Sequence, residues 1–230
     1  MKPIIEIDSI NQVLEHIPST TDIVFFDIDN TLIGAANGIH PTQWINGFEA
    51  YIRTIYTQKH NITVEQQNDI INQNLTDFIN IMEPTLIENN ALEVIKKLQE
   101  QHIHVIALTA RPAPTAQATI KQLAHCGINF SDHAFNPKHF FINSFTRPII
   151  FQDGVITCCN NPKGISAQHF FDITKFNPQS IVLIDDTLPF LEEAAEKFSD
   201  RSFVGLRYSY LDKQIKNFAF SSDYIPEALR

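Results

Sequence analysis

The stretch Ile23-Val24-Phe25-Phe26-Asp27-Ile28-Asp29-Asn30-Thr31-Leu32 decides how this chain is read. Its first four residues are β-branched or aromatic, the pattern of a strand buried on both faces of a parallel sheet. The polar residues that follow directly therefore sit at the carboxyl end of that strand. Side chains alternate along extended backbone, so Asp27 and Asp29 point the same way. Two carboxylates held side by side repel unless a cation or a shared proton relieves them. Either they cap the turn after the strand, or they hold a cation and act on a substrate.

Downstream the pattern breaks and then resumes. An Asn37-Gly38 step within residues 35–41 marks a tight turn. Trp44, Phe48, Tyr51, Ile52 and Ile55 then recur at helical spacing, with Thr42 as the expected N-cap. A second helix starts near Thr63, where Gln66 completes a capping box, and carries Ile70, Ile71, Leu75, Phe78, Ile79 and Met82. Two consecutive helices predict an inserted α-hairpin. Alternation follows, with a helix over 86–101, a strand over 104–108 and a helix over 113–126. Strands over 148–152 and 155–159 flank Asp153-Gly154, a hairpin signature. A helix from Lys163 to residue 172, a strand over 181–184, a helix through Phe198 and a strand over 203–206 complete the series. Short apolar strands separated by helices predict an α/β fold, a Rossmann-like parallel sheet with helices on both faces. The expected division is an α/β core of residues 1–41 and 83–230 with a helical cap insertion over 42–82.

In such sheets ligands bind at the carboxyl ends of the strands. Asp27, Asp29, Thr109 and Asp186 all fall at those ends and can converge although distant in sequence. Mg2+ prefers about six oxygen ligands and is often held by one or two carboxylates together with substrate phosphate and water. Asp186 supplies a further oxygen from another strand, after which one carboxylate of the first pair can attack phosphorus while its twin manages the leaving-group proton. Thr109 precedes a helix start, where a hydroxyl and an N–H hold a phosphate oxygen or simply cap the helix. Lys163 offers a cation for phosphate or carboxylate, or is solvated surface. Lys138 stands in the same Asn-Pro-Lys context, but a helix from Lys163 leads directly into the strand that ends at Asp185-Asp186. Two acids closing that apolar run make poor core. Arg111 either faces the pocket or belongs to a plain Arg-Pro turn.

The chain's 230 residues allow one α/β core with an accessory module, and its apolar fraction of 43% is that of a globular protein. Its 17 basic and 26 acidic residues leave a formal charge of −9. That acidity argues against a nucleic-acid partner, whose phosphates need Lys and Arg. Cys126, Cys158 and Cys159 show no zinc spacing and read as reduced thiols, Cys126 on a buried helix face and the adjacent pair in a strand. Nine histidines form no HExxH pattern, and there is no GxSxG elbow or Walker phosphate loop. Residues 1–8 lack the apolar core of a Sec-type signal, and no apolar run is long enough to span a membrane. The chain reads as cytoplasmic, or as exported by machinery that uses other signals.

The motif Phe25-Phe26-Asp27-Ile28-Asp29-Asn30-Thr31-Leu32 resembles the first motif of the haloacid dehalogenase (HAD) superfamily, DxDx[TV]. Thr109, Lys163 and Asp185-Asp186 resemble its second, third and fourth motifs in order and separation. The resemblance implies a Mg2+-dependent phosphatase with a phosphoaspartate intermediate. Asp27 is then the nucleophile and a metal ligand, and Asp29 the general acid/base, also offering its backbone carbonyl to the metal. Thr109 and Lys163 hold the phosphoryl group, Asp186 binds Mg2+, and Asp185 lies close behind. Residues 35–41 become a small flap and residues 42–82 a cap of the first insertion type. Asp29 points to phosphoryl transfer rather than dehalogenation. The cap and residues 129–147 look most like a bacterial branch from intracellular bacteria, some members of which act in host cells. That raises phosphoproteins, including phosphotyrosine, as substrates beside small phosphate esters. A phosphomutase, or a non-catalytic binding module on the same fold, are the alternatives.

Overall fold

The computed structural model describes residues 3–131, 135–143, 147–225 and 227–229. The expected segment 129–147 and the chain end therefore lie partly outside the described residues. In chain order the strands and helices are β1 (Ile4–Ile7), β2 (Ile23–Phe26), β3 (Ile33–Ala35), α1 (Pro41–Tyr51), α2 (Thr57–His60), α3 (Val64–Ile81), β4 (Pro84–Leu86), α4 (Ala91–Glu100) and β5 (His104–Thr109). They continue with α5 (Ala116–His125), β6 (His139–Ile142), β7 (Ile149–Gln152), β8 (Val155–Thr157), α6 (Lys163–Thr174), β9 (Ser180–Asp185), α7 (Leu188–Lys197), β10 (Ser202–Tyr208) and α8 (Asp212–Asn217).

The main sheet has the order β1-β10-β9-β2-β5-β8-β7-β6, parallel from β1 to β8 and antiparallel in the last two pairs. The period of two along β2 sorts the core into two layers. Val24 and Phe26 face a cluster with Val94, Ile95 and Leu98 of α4 and Leu123 of α5. Ile23 and Phe25 face a second cluster with Phe170 and Phe171 of α6 and Leu191 and Ala194 of α7. Helices therefore cover both faces, the doubly wound α/β class expected from the alternating pattern. The Asp153-Gly154 turn joins β7 and β8 with both residues at positive φ, 48° and 80°, as a two-residue hairpin of this hand requires.

Several boundaries differ from the sequence expectation. The helix expected from residue 86 starts at Ala91, because Pro84–Leu86 pairs with Ile33–Ala35 as a two-stranded antiparallel ribbon. That ribbon brings the two ends of the helical insert together. Thr42 is not a cap: α1 begins at Pro41, whose missing N–H costs nothing at a first helical position. A π-helical turn over Ile52–Tyr56 joins α1 to α2, so Ile55 leaves the apolar stripe and is exposed while Trp44, Phe48 and Ile52 are buried. The Thr63/Gln66 capping box forms as expected. Cys126 is the half-buried C-cap of α5, and Cys158 and Cys159 lie buried just beyond β8 rather than within it. Lys138 is exposed and Lys163 is fully buried, which separates the two Asn-Pro-Lys candidates. No helix among the described residues is long and apolar enough to cross a membrane.

The insert has its own core. Trp44 stacks on Phe48 and Phe78 with centroids 5.2 and 4.3 Å away, and Ile52 and Ile71 complete the cluster. The C-terminal segment closes it: Phe220, Tyr224 and Ile225 pack there, Trp44 Nε1 donates to Tyr224 O at 3.2 Å and Tyr51 Oη to Leu229 O at 2.8 Å. Gly47 allows this approach, since a Cβ there would lie 2.4 Å from Phe220 Cγ. Gly47→Ala is expected to destabilise the protein by about 1–3 kcal/mol despite Ala's better helix propensity. The second substitution Phe220→Gly, which removes the Phe220 Cβ as well as its ring, should remove most of that specific cost, read as a non-additive double-mutant cycle in urea; additive losses would refute the contact.

Candidate active site at the strand ends

The site begins where β2 stops being a strand. Asp27 N still donates to Ile184 O of β9 at 2.9 Å, but beyond it the chain coils around one carbonyl. Thr31, Leu32 and Ile33 all direct their N–H groups at Ile28 O, and Asn30 takes a positive φ of 62°. This coil presents Asp27 and Asp29 to the same cavity and returns Thr31 Oγ1 to Asp27 Oδ2 at 3.3 Å. Asn30 Nδ2 reaches Asp186 Oδ2 at 3.1 Å and Gln43 Oε1 of α1 at 3.2 Å. The short turn thereby links two strand ends and the helical insert.

The second acidic pair ends β9. Asp185 is fully buried; its Oδ1 accepts from Thr187 N at 2.8 Å and its Oδ2 from Lys163 Nζ at 2.6 Å. Lys163 also donates to Asp27 Oδ1 at 2.6 Å. It is the first residue of α6, so the helix start delivers the ammonium between two strands. Glu193 of α7 accepts from Gly164 N at 2.8 Å and satisfies part of that helix end. Asp186 turns toward the cavity, with Oδ1 accepting from Thr187 Oγ1 at 3.1 Å.

On the other side of β2, Thr109 ends β5 and lines the cavity, its hydroxyl accepting from Arg111 N at 3.2 Å. Arg111 is not part of a plain turn. Its Nε and Nη2 grip both oxygens of Asp29 at 2.8 Å each, and Nη1 donates to Thr119 Oγ1 and Gln122 Oε1 at 3.0 and 2.7 Å. A fork-on-fork pair of this kind fixes the plane of the carboxylate as well as its position.

The strand ends and the insert enclose a cavity of about 300 Å3. Asp27, Asp29, Thr109, Arg111 and Asp186 form its polar floor, while Thr42, Ile45, Asn46 and Glu49 of α1 and Leu75 and Ile79 of α3 face them. Four carboxylates, Asp27, Asp29, Asp185 and Asp186, meet only two cations in this set, Lys163 and Arg111. The imbalance is visible in their proton affinities. Burial pushes Asp27 up to about 7 against the pull of Lys163, with Asp185 and Asp29 pushing the same way. Burial likewise raises Asp185 and Asp186 to about 6 each. Burial alone would lower Lys163, but Asp185 and Asp27 more than offset it and hold the ammonium above the usual lysine range. Oxygens of Asp27, Asp185 and Asp186 lie within 4.8 Å of one another. A set of hard oxygen donors with surplus negative charge suits a small divalent cation such as Mg2+. The nearby thiol of Cys158 is pushed up to about 12 by burial and is inert.

The residues singled out in the sequence thus divide into two tiers. Asp27, Asp29, Thr109 and Asp186 line the cavity, whereas Lys163 and Asp185 lie directly beneath it. Asn30, Thr187, Gln122 and Glu193 were not singled out. Asn30 and Thr187 stand next to motif acids, and their adjacency was the available signal. Gln122 and Glu193 occupy helix faces that give no local hint.

An α/β protein of doubly wound topology, with an acidic cleft at the carboxyl ends of its parallel strands and a helical insert over it, is the class these features define. The chain belongs to the family described as "Protein of unknown function (DUF2608)", which it matches over residues 4–226. No curated protein matches it. Among solved structures it is similar to a haloacid dehalogenase-like family hydrolase from Streptococcus pneumoniae, at 14% identity over 82% of this chain and 95% of that one, with a TM-score of 0.48. It is similar also to CbbY from Rhodobacter sphaeroides in complex with phosphate, at 12% identity over 88% and 91% of the two chains and a TM-score of 0.48. The HAD domain of the effector protein Lem4 from Legionella pneumophila (inactive mutant) aligns at 14% identity over 92% and 100%, with a TM-score of 0.39. The chemistry of the site is read from its own residues.

Lys163→Met removes the one cation between Asp27 and Asp185 and should cost about 3–5 kcal/mol near neutral pH, the usual loss when a buried ion pair is broken from one side. Both acids already bind protons more readily folded than unfolded, and without the ammonium they do so more strongly. The deficit therefore opens as pH rises through the native folded-state values of about 6 and 7, continues to grow toward the variant's own higher values, and shrinks as pH falls below the native ones. Urea unfolding of metal-free native and variant protein at about pH 5 and about pH 7.5 measures this. An equal deficit at both would reject the charge account.

Proposed function

We propose that this protein is a Mg2+-dependent phosphomonoesterase that forms a phosphoaspartate on Asp27. The observation that carries the reading is the placement of Asp27 at the cavity floor, with Lys163 on one oxygen and a surplus of acidic charge beside it. A lone structural aspartate has no need of that company.

In the first half-reaction an Asp27 carboxylate oxygen attacks phosphorus, and the bond from phosphorus to the ester oxygen breaks. The leaving oxygen keeps that electron pair and takes a proton from Asp29, which enters this step as the carboxylic acid and leaves it as the carboxylate. In the second half, water attacks the phosphoaspartate and gives its proton to Asp29 as the bond to Asp27 breaks, releasing inorganic phosphate and restoring the carboxylate. Lys163 restrains Asp27 from below and offsets charge as phosphate arrives. Thr109 Oγ1 and the N–H of Ala110, which also lines the cavity, are the proposed donors for phosphoryl oxygens. Asp27, Asp186 and the Asp29 carbonyl are the proposed holders of Mg2+, which when bound would offset the negative charge of the phosphoryl oxygens. Asp186 lines the cavity while Asp185 is fully buried beneath it, which supports Asp186 as the direct ligand and Asp185 as the residue behind it.

Residues 42–82 act as a cap over this site. The cavity volume suits a small phosphate ester or one phosphorylated side chain of a protein. Asp29, beside the nucleophile, favours phosphoryl transfer over dehalogenation, because ester cleavage needs a proton donor.

Phosphate release from 4-nitrophenyl phosphate tests the reading. Turnover is expected with Mg2+, lost in excess EDTA, and reduced on the order of a thousandfold or more in Asp27→Asn. Release only with a bisphosphate activator would mean a mutase, and Mg2+ binding without turnover a binding module. Metal binding has its own signature. Protons compete with Mg2+ for Asp27 and Asp186, whose carboxyls are raised to about 7 and 6, so the cation gains affinity as pH rises. The Mg2+-induced rise in Tm should be larger at about pH 7.5 than at about pH 5. A pH-independent shift would place the cation elsewhere.

A further inference from the structure

A hydrogen-bonded chain runs from the Asp29 carboxylate to the joint by which the helical insert returns to the core. Arg111, 1% exposed at its side chain, spends two N–H groups on Asp29 and directs Nη1 to Thr119 and Gln122. Gln122 accepts from Arg111 with Oε1 at 2.7 Å and turns Nε2 to Ile79 O at 2.5 Å and Met82 O at 3.0 Å. Those carbonyls belong to the last turn and cap of α3, where a helix has no partner of its own to offer. The amide has only one orientation that serves both sides. Flipped, it would set N–H against guanidinium N–H and oxygen against carbonyl oxygen.

The consequence concerns geometry. Asp29 sits on an irregular coil, and its side chain is 16% exposed to the cavity. The coil orders the backbone of Asp29, and the two-point grip of Arg111 holds its carboxylate. Arg111 is in turn fixed by Gln122 and Thr119, and Gln122 by the joint. We propose that Arg111 and Gln122 are positioning residues that orient Asp29 for proton transfer, and that they tie this orientation to the second joint of the cap. The inference rests on the phosphoryl-transfer reading above. It makes the proton-transferring group competent only while the joint holds its present place. A displaced joint withdraws the Gln122 contact, frees the guanidinium and lets the carboxylate turn away.

Two leaving groups separate positioning from general damage. Alkoxide needs a proton as the ester bond breaks, whereas 4-nitrophenolate leaves without one. The parameter kcat/KM covers only steps through that bond cleavage. For Gln122→Met, kcat/KM on a simple alkyl phosphate is expected to fall about tenfold or more, and that on 4-nitrophenyl phosphate by less than about threefold. Arg111→Lys keeps the charge but loses the fork and should show the same bias. Equal losses on both substrates would overturn the positioning role while leaving the phosphatase reading intact. A native protein without turnover would sink that reading instead.

The coupling is measured separately, without turnover, by hydrogen exchange in Asp29→Asn. Met82 N, which donates to Phe78 O, and Ala36 N, which donates to Glu83 O, report on the joint. Their exchange should quicken by about threefold or more while α4 is unchanged. Unchanged exchange at the joint overturns the coupling.

Discussion

One ammonium group, Lys163 Nζ, sits 2.6 Å from oxygens of both Asp27 and Asp185, with no exposure to solvent. The arrangement of the site follows from that contact. It joins the start of α6 to the ends of β2 and β9, so the helix, the two central strands and the acids that leave them share one origin. A buried lysine is tolerated only when its charge is met, and a buried carboxylate likewise. Lys163 is therefore acceptable in its place because of both acids, and each acid because of Lys163. The contact is also incomplete. One ammonium cannot neutralise two carboxylates, and Asp186 stands beside them, which leaves the cluster acidic and suited to a further cation.

The same surplus separates the left and right halves of the cavity floor. Toward β9 the acids crowd together with raised proton affinity, as suits the proposed nucleophile and metal ligands. Toward β5, Asp29 is matched by a guanidinium of its own. Two carboxylates two residues apart are thus given different partners, and different partners are how one fold assigns different tasks to identical groups. The tight coil around Ile28 O produces this split. Continued extension would have left Asp27 and Asp29 on one face with the same neighbours.

How much of this was legible in the sequence depends on the range over which each residue is determined. The strand Ile23–Phe26, the Thr63/Gln66 capping box and the Asp153-Gly154 hairpin were readable, because apolar period, cap and turn chemistry are local. Asp27, Asp29, Thr109 and Asp186 were readable as one cluster because strand ends in a parallel sheet converge. The start of α4 was misplaced, since the pairing of Pro84–Leu86 with Ile33–Ala35 is a contact between distant segments that leaves no periodic trace. Ile55 was misassigned to the buried stripe, as the π-turn shifts helical phase without any proline or glycine to announce it. Arg111 was visible but ambiguous. Its meaning depends on Gln122, a polar residue on an otherwise ordinary helix, whose two ends are engaged by residues far apart in the chain.

That dependence bears on what the proposed cap does. The insert is stabilised by its own aromatic cluster and by the C-terminal segment, so its internal structure does not require the strand-end site. What it takes from the core at its second joint is a pair of hydrogen bonds from Gln122, whose other end holds Arg111. A cap that merely shielded the cleft from water could have closed its last helical turn on solvent or on its own side chains. Instead two carbonyls at the end of α3, Ile79 O and Met82 O, are satisfied by a residue committed to the group beside Asp29. Burying Arg111 and Gln122 under α3 also carries a desolvation cost that apolar residues would avoid. A feature that is costly for stability, satisfied at every other contact and aimed at one carboxylate is better explained by the orientation of that carboxylate than by the stability of the fold.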